Sequence, residues 1–292
     1  MIPQNIEQKV RLILEHKFGV PVSIGQVKPV SGGDINEAAC IKTGMGNFFV
    51  KWNDARRFPG MFEAEAKGLL LLKEAGGIYI PEVILTGETG DFSFLVLEYV
   101  QAGSKISGFM EDFGRSLAGL HKHTNPFFGL DHNNYIGSLP QSNSKNHKWT
   151  DFFIEERLEK QVKMSRNSGE IGRSLVSAFE RLYKELPTIF PDEPPALLHG
   201  DLWGGNYMTA PDGRACIYDP AVYYGHREMD LGMSKLFGGF GPEFYEAYDR
   251  AYPLEKNWHR RTDICNLYPL MVHVNLFGGS YVYSVQSILK QF

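Results

Sequence analysis

In the stretch LLHGDLWGGNYMTAPDGRACIYDPA, Leu197 to Ala221, the polar residues Asp201, Asn206 and Asp219 stand among glycines and between short apolar runs. Two carboxylates and an amide offer oxygen donors, the kind of ligand that Mg²⁺ takes when it bridges nucleotide phosphates. A carboxylate beside them can also orient an attacking hydroxyl and accept its proton. That is equipment for phosphoryl transfer. The same residue types make turns in glycine-rich loops, and the stretch alone leaves both readings open. Lys51 closes the apolar run NFFVK, where an inward ammonium could hold phosphates, and Glu65 follows in a helical segment from which it could pair with that lysine. Glu63 is two residues away and faces elsewhere. Ser31, Gly32 and Gly33 separate two β-prone runs and are small enough for backbone N–H groups to approach phosphates. Taken singly, each has a plain alternative: an exposed lysine, a solvated carboxylate, an ordinary turn. Their order along the chain points to one nucleotide site.

The elements that must position these residues change character along the chain. NIEQKVRLILEHKFG has helical apolar spacing at Ile6, Val10, Ile13 and Leu14. PVSIGQVKPVSGG, INEAACIKTG and NFFVKW then read as strands separated by glycine turns, and GMFEAEAKGLLLLKEAGG as a helix closed by a glycine pair. YIPEVILTGETGDFSFLVLEYV adds two strands. The first lobe, residues 1–102, is therefore expected to be an antiparallel five-stranded sheet with one main helix. The second lobe, 103–292, is expected to be mostly helical, with NYMTA and ACIYD flanking the turn PDG as a hairpin. The loop FGLDHNNYIGSLPQSNSKNH is too long for a mere connection and reads as a binding loop, with Gln141 and Asn143 expected to be solvated.

Composition narrows the partners. The 292 residues are 43% hydrophobic and carry a net charge of −4 without a Lys/Arg run, which disfavours nucleic acid and anionic membranes. Cys40, Cys216 and Cys265 are odd in number and widely spaced, which argues against a disulfide framework or a zinc site. No apolar run approaches twenty residues and the N-terminus lacks the pattern of a signal peptide, so a cytoplasmic location is expected.

LLHGDLWGGNYM with IYDPA resembles the catalytic and metal-binding segments of eukaryotic-like protein kinases and aminoglycoside phosphotransferases, in the version used by the fructosamine kinase (ketosamine-3-kinase) family. GHREMDLGMSKLFGGF and NNYIGSLPQSN, followed by WTDFFIEERL, are similar to that family too, over about Val30 to Gly279. The resemblance implies an α+β, bilobal protein-kinase-like fold and ATP with Mg²⁺. It implies Asp201 as the catalytic base and Asn206 and Asp219 as the metal ligands. Ser31, Gly32, Gly33, Lys51 and Glu65 would hold ATP, with the backbone of Glu98 and Val100 on the adenine edge. His199 and Asp230 would support the catalytic loop, and Trp203 and His273 would wall the acceptor.

Leu276 stands where the family often has His, and Asp34 where some relatives carry a redox-sensitive Cys. The implied acceptor is a ketosamine such as fructosamine or ribulosamine, phosphorylated on its 3-hydroxyl in repair of glycated amines. The alternatives are an aminoglycoside, choline or sugar kinase of the same fold, or a catalytically silent nucleotide-binding regulator. A small-molecule or protein-linked ketosamine is the implied partner, with neither nucleic acid nor membrane.

Overall fold

The computed structural model describes residues 2–30 and 35–292, so the expected phosphate loop of Ser31, Gly32 and Gly33, with Asp34, lies outside the described residues. Helix α1 (Gln4–Phe18) buries Ile6, Val10 and Leu14, which recur every four residues along one face, and Gly19 closes it in a left-handed conformation. Strands β1 (Ile24–Val30), β2 (Glu37–Thr43) and β3 (Gly46–Asp54) follow, then α2 (Met61–Ala75), β4 (Val83–Thr89) and β5 (Phe92–Glu98). They form an antiparallel sheet in the order β1-β2-β3-β5-β4. Strand β3 is thus the middle strand.

Its alternation decides where the chemistry goes. Phe48, Val50 and Trp52 join Phe94 and Val96 of β5 in a core against α1. The opposite faces of both strands look toward α2, where Leu95 and Leu97 pack with Phe62, Leu69 and Leu72. Lys51 falls on that second face. Its direct partner on β5 is Leu95.

The second core continues from the sheet into the helical part of the chain, through α3 (Phe109–Leu120) and the segment around Leu197, Leu202, Ile217 and Val222. A short hairpin of β6 (Asn134–Ile136) and β7 (Leu139–Gln141) leads to α4 (Trp149–Phe152). A π-helical turn, Phe153–Leu158, joins α4 to α5 (Glu159–Asn167), and α6 (Arg173–Ile189) follows. Strand β8 (Ala196–Leu198) pairs with β11 (Tyr223–Gly225), and β9 (Tyr207–Thr209) with β10 (Ala215–Ile217). Helices α7 (Glu228–Leu236), α8 (Pro242–Ala251), α9 (Trp258–Phe277) and α10 (Ser280–Leu289) complete the chain. Helix α9 is buried on most sides and anchors a third core with α6 and α10. No helix among the described residues is long and apolar enough to cross a membrane.

Helix α3 meets α8 at backbone distance, because a Cβ on Gly114 would stand 2.1 Å from the Phe244 carbonyl oxygen. Gly114→Ala must push two helices apart, and we expect it to destabilise the fold by about 3 kcal/mol. Denaturant unfolding measures this directly, and an unchanged midpoint would mean that the helices separate without cost.

Candidate active site

Strand β8 ends at Leu198, and the chain turns sharply through His199, Gly200 and Asp201. Gly200 adopts φ +83°, and a Cβ there would lie 2.1 Å from the Ala221 carbonyl oxygen, so glycine is required on both counts. The turn is held from beneath by Asp230, near the start of α7 and almost fully buried. Asp230 accepts the backbone N–H groups of His199 at 2.8 Å and Gly200 at 2.9 Å, and its Oδ2 lies 3.2 Å from His121 Nε2. Burial alone would raise the Asp230 carboxyl; the bond and charge of His121 and the Gly200 backbone donor outweigh it and hold it below its ordinary range.

His199 is fully buried, with Nε2 donating to the Tyr218 carbonyl at 3.0 Å and Nδ1 accepting the Asp201 N–H at 3.3 Å. Burial lowers its pKa and both ring nitrogens are committed to backbone, so it ties the Asp201 turn to the strand end before Asp219.

Asn206 donates Nδ2 to the Asp201 backbone carbonyl and to Asp201 Oδ2, both at 2.9 Å. With its nitrogen so engaged, Oδ1 is the atom left for another partner. Asp219 follows β10 in a left-handed conformation, φ +55°, and its side chain is 47% exposed. Its Oδ1 lies 2.8 Å from Lys51 Nζ, which also donates to Glu65 Oε1 at 2.8 Å and Oε2 at 3.0 Å. Burial would depress the Lys51 ammonium, but Asp219 and Glu65 overcome that and raise it, so it stays charged. Glu65 is pushed up by its own burial, with Lys51 opposing. Burial also lifts the Asp201 carboxyl to about 7; the Asn206 bond counters it, and the charges of Asp219 and Asp230 add to it.

These groups face a cavity of about 410 Å³. Lys51, Glu65, Asp201, Asn206 and Asp219 line it together with Trp203, Phe237 and His273. The His273 Nδ1 donates to the Pro269 carbonyl at 2.7 Å, which leaves Nε2 as the ring nitrogen free for another partner. The Phe237 ring stands between those of Trp203 and His273, at 6.1 and 4.8 Å. Among the described residues no group of three or more His, Cys, Asp or Glu side chains is arranged to hold a metal. Asp201, Asp219 and Asn206 Oδ1 nevertheless form an all-oxygen donor set, suited to a hard cation whose remaining positions phosphates or water fill.

Glu98 and Val100 do not line this cavity. The Glu98 carboxylate accepts the Tyr79 hydroxyl at 2.6 Å and the Glu82 N–H at 3.1 Å, while its own N–H goes to the Glu82 carbonyl at 2.9 Å. Only its carbonyl remains for a ligand edge.

The model of the family described as fructosamine kinase matches residues 6–292. The chain belongs to the fructosamine kinase family. It is 40% identical to the "Probable ketoamine kinase" of Enterococcus faecium over 92% of this chain and 95% of that one. It is 37% identical to the chloroplastic protein-ribulosamine 3-kinase of Arabidopsis thaliana, over 94% and 84%. The crystal structure of a chain assigned as a fructosamine-3-kinase in Haemophilus somnus superposes with a TM-score of 0.89 at 30% identity, covering 99% of this chain and 98% of that one. The fold is accordingly the α+β, kinase-like one, and members of this family are ATP-dependent phosphotransferases that act on a hydroxyl group.

One expectation about this fructosamine kinase family chain needs correction. Gln141 and Asn143 are not solvated loop residues: they are 2% and 1% exposed and bonded into a buried network with Asn134. The supposed loop contains the β6–β7 hairpin, and buried amides demand partners. The turn residues Gly137 and Ser138 between β-prone neighbours were the available signal. Phe237 is a further lining residue, and its place beside His273 depends on α7 and α9 meeting, which no local pattern announces.

Two stability tests follow. Lys51→Met leaves the Glu65 carboxylate buried without its cation and should cost about 3 kcal/mol, most of it recovered in Lys51→Met/Glu65→Gln. Additive losses in denaturant unfolding would mean the two are not coupled. For Asp201 the folded carboxyl sits near 7 against an ordinary 3.8, so ionising it opposes folding and stability falls as pH rises from about 4 to about 7. Without nucleotide or Mg²⁺, Asp201→Asn should therefore raise the melting temperature by several degrees at pH 8 and by less at pH 5.5; equal differences would exclude the raised carboxyl.

Proposed function

We propose that this protein transfers the γ-phosphoryl group of ATP to the 3-hydroxyl of a ketosamine such as fructosamine or ribulosamine, as a step in repair of glycated amines. The observation that carries the reading is the convergence of Lys51, Asp201, Asn206 and Asp219 on one cavity that Trp203, Phe237 and His273 also line. Asp201 is the base: it faces the acceptor hydroxyl, orients it for in-line attack and takes its proton as the bond to phosphorus forms. Its raised carboxyl, near 7 before any cation binds, suits a group that must accept a proton near neutrality. Trp203 offers the sugar an apolar face, and His273 Nε2 accepts from a sugar hydroxyl.

Asn206 Oδ1 and the Asp219 carboxylate would hold Mg²⁺. That ion, when bound, neutralises the charge on the phosphate oxygens. Lys51 has three N–H donors, now shared between Glu65 and Asp219. Handing the Asp219 share to a phosphate oxygen frees that carboxylate for the cation, while Glu65 keeps the ammonium aimed. The Glu98 carbonyl and the Val100 N–H serve the adenine edge; the expected phosphate loop, Ser31, Gly32 and Gly33, lies outside the described residues. In this reading residues 1–102 form the nucleotide lobe and 103–292 the acceptor lobe.

Aminoglycosides fit less well. Apart from the catalytic carboxylates, the described cavity wall carries no acidic side chain near Trp203 and His273 to meet a polycation. Mg²⁺-dependent ADP release with fructosyl-lysine, ribulosyl-lysine, kanamycin and choline tests the acceptor. Turnover confined to the two ketosamines, and lowered at least 1000-fold in Asp201→Asn with ATP affinity within several fold, is the expected result. Turnover with kanamycin or choline in place of the ketosamines would overturn the acceptor, and unimpaired Asp201→Asn would overturn the base.

A further inference from the structure

Arg157 is a fully buried charge that the phosphoryl-transfer site does not account for. Among the described residues no carboxylate pairs with it. Its guanidinium donates to the carbonyls of Ser142 and Glu156 and, at 2.7 Å, to Asn143 Oδ1. Its carbon lies 3.9 Å from the ring centre of Tyr223 and 4.6 Å from that of Phe152. The π-helical turn aims it: Phe152 with Arg157, and Phe153 with Leu158, are buried pairs five residues apart, the spacing that a π turn brings to one face. Such turns concentrate at functional sites. A buried cation with only neutral partners is a poor source of stability, so its value must lie in what it orients.

What it orients is a chain of amides. A guanidinium only donates, so it fixes Asn143 with Oδ1 toward Arg157 and Nδ2 toward Asn134 Oδ1, at 2.9 Å. Asn134 must then point its own Nδ2 at the Val222 carbonyl, at 2.8 Å. On the other side, the Tyr268 hydroxyl donates to Gln141 Oε1 at 2.7 Å. That turns Gln141 Nε2 toward Asn134 Oδ1 at 2.8 Å and the Ala221 carbonyl at 3.1 Å. Both ends of the β6–β7 hairpin are thus fastened to the backbone just after Asp219. The tip of that hairpin, from Ile136 to Ser138, lines the cavity that Asp201 faces.

We propose that Arg157 is a positioning residue for the acceptor: by setting the direction of the Asn143 and Asn134 amides it locks the hairpin to the Asp219 segment and so fixes where the acceptor hydroxyl stands relative to Asp201. This rests on the ketosamine reading only for the identity of the acceptor. Arg157→Lys keeps the charge and loses the fork; Tyr268→Phe removes one hydroxyl from the other side of the network and guards against a folding failure of the first.

In the full-length protein with ribulosyl-lysine, both variants should lower acceptor kcat/KM at least 10-fold while the KM for ATP stays within threefold. The ratio of phosphoryl transferred to ATP consumed should fall at least threefold, as water replaces a misplaced hydroxyl. Backbone hydrogen exchange should quicken at 134–141 and 221–222 and stay unchanged in α6. A purely structural Arg157 would lower kcat by the folded fraction and leave the KM values, the transfer ratio and the exchange pattern alone, which overturns the proposal. Absence of transfer to any ketosamine by the unaltered protein would overturn the substrate reading instead; the positioning role then stands or falls on the exchange pattern.

Discussion

The ammonium of Lys51, held between Glu65 and Asp219, is the interaction on which the rest of the site depends. It joins the middle strand of the sheet, the helix packed on that sheet and the loop after β10 through three contacts of 2.8 to 3.0 Å. A lysine enclosed this completely survives as a cation only because two carboxylates outweigh the cost of burial. Those carboxylates come from segments far apart in sequence, so the charge requirement of one side chain brings the sheet and the loop after β10 to a common point. The two carboxylates exceed the single ammonium by one negative charge, which leaves the cluster receptive to a further cation.

The Asp201 turn depends on a second buried anion. Asp230 accepts the two backbone N–H groups of the His199–Gly200 turn, and its neighbour His121 is itself 2.8 Å from the Tyr248 hydroxyl on α8. The turn is therefore referenced to α3, α7 and α8, of which α3 and α8 meet at the close approach that requires Gly114. Asp201 hangs from this frame with its carboxyl raised, while the carboxyl that supports it is lowered. Burial presses on both. The difference lies in the donors: Asp230 receives backbone N–H groups and an imidazole, whereas Asp201 receives the Asn206 amide with other carboxylates nearby.

The family assignment and this geometry are independent of each other. Similarity across residues 6–292 establishes which family the chain belongs to. The distances among Lys51, Glu65, Asp201, Asn206 and Asp219 show how charge and hydrogen bonding hold these groups on one cavity, and Trp203, Phe237 and His273 give the same cavity an aromatic lining.

Much of this was legible in the residues alone. The apolar run NFFVKW marked a strand with Lys51 at its end, and helical spacing with closing glycines located α1 and α2, because both signals are local and come from backbone geometry. The spacing of Asp201, Asn206 and Asp219 around a short hairpin likewise limited how far apart they could lie. What the tertiary structure alone decided concerns groups whose environment comes from distant segments. The burial of Gln141 and Asn143, the direction of each amide from Arg157 to Val222, the place of Phe237 between Trp203 and His273, and the opposite displacement of two aspartates of identical type all depend on what packs against them. A residue's type determines what it can donate or accept; only the folded chain determines which partner remains when water has been excluded.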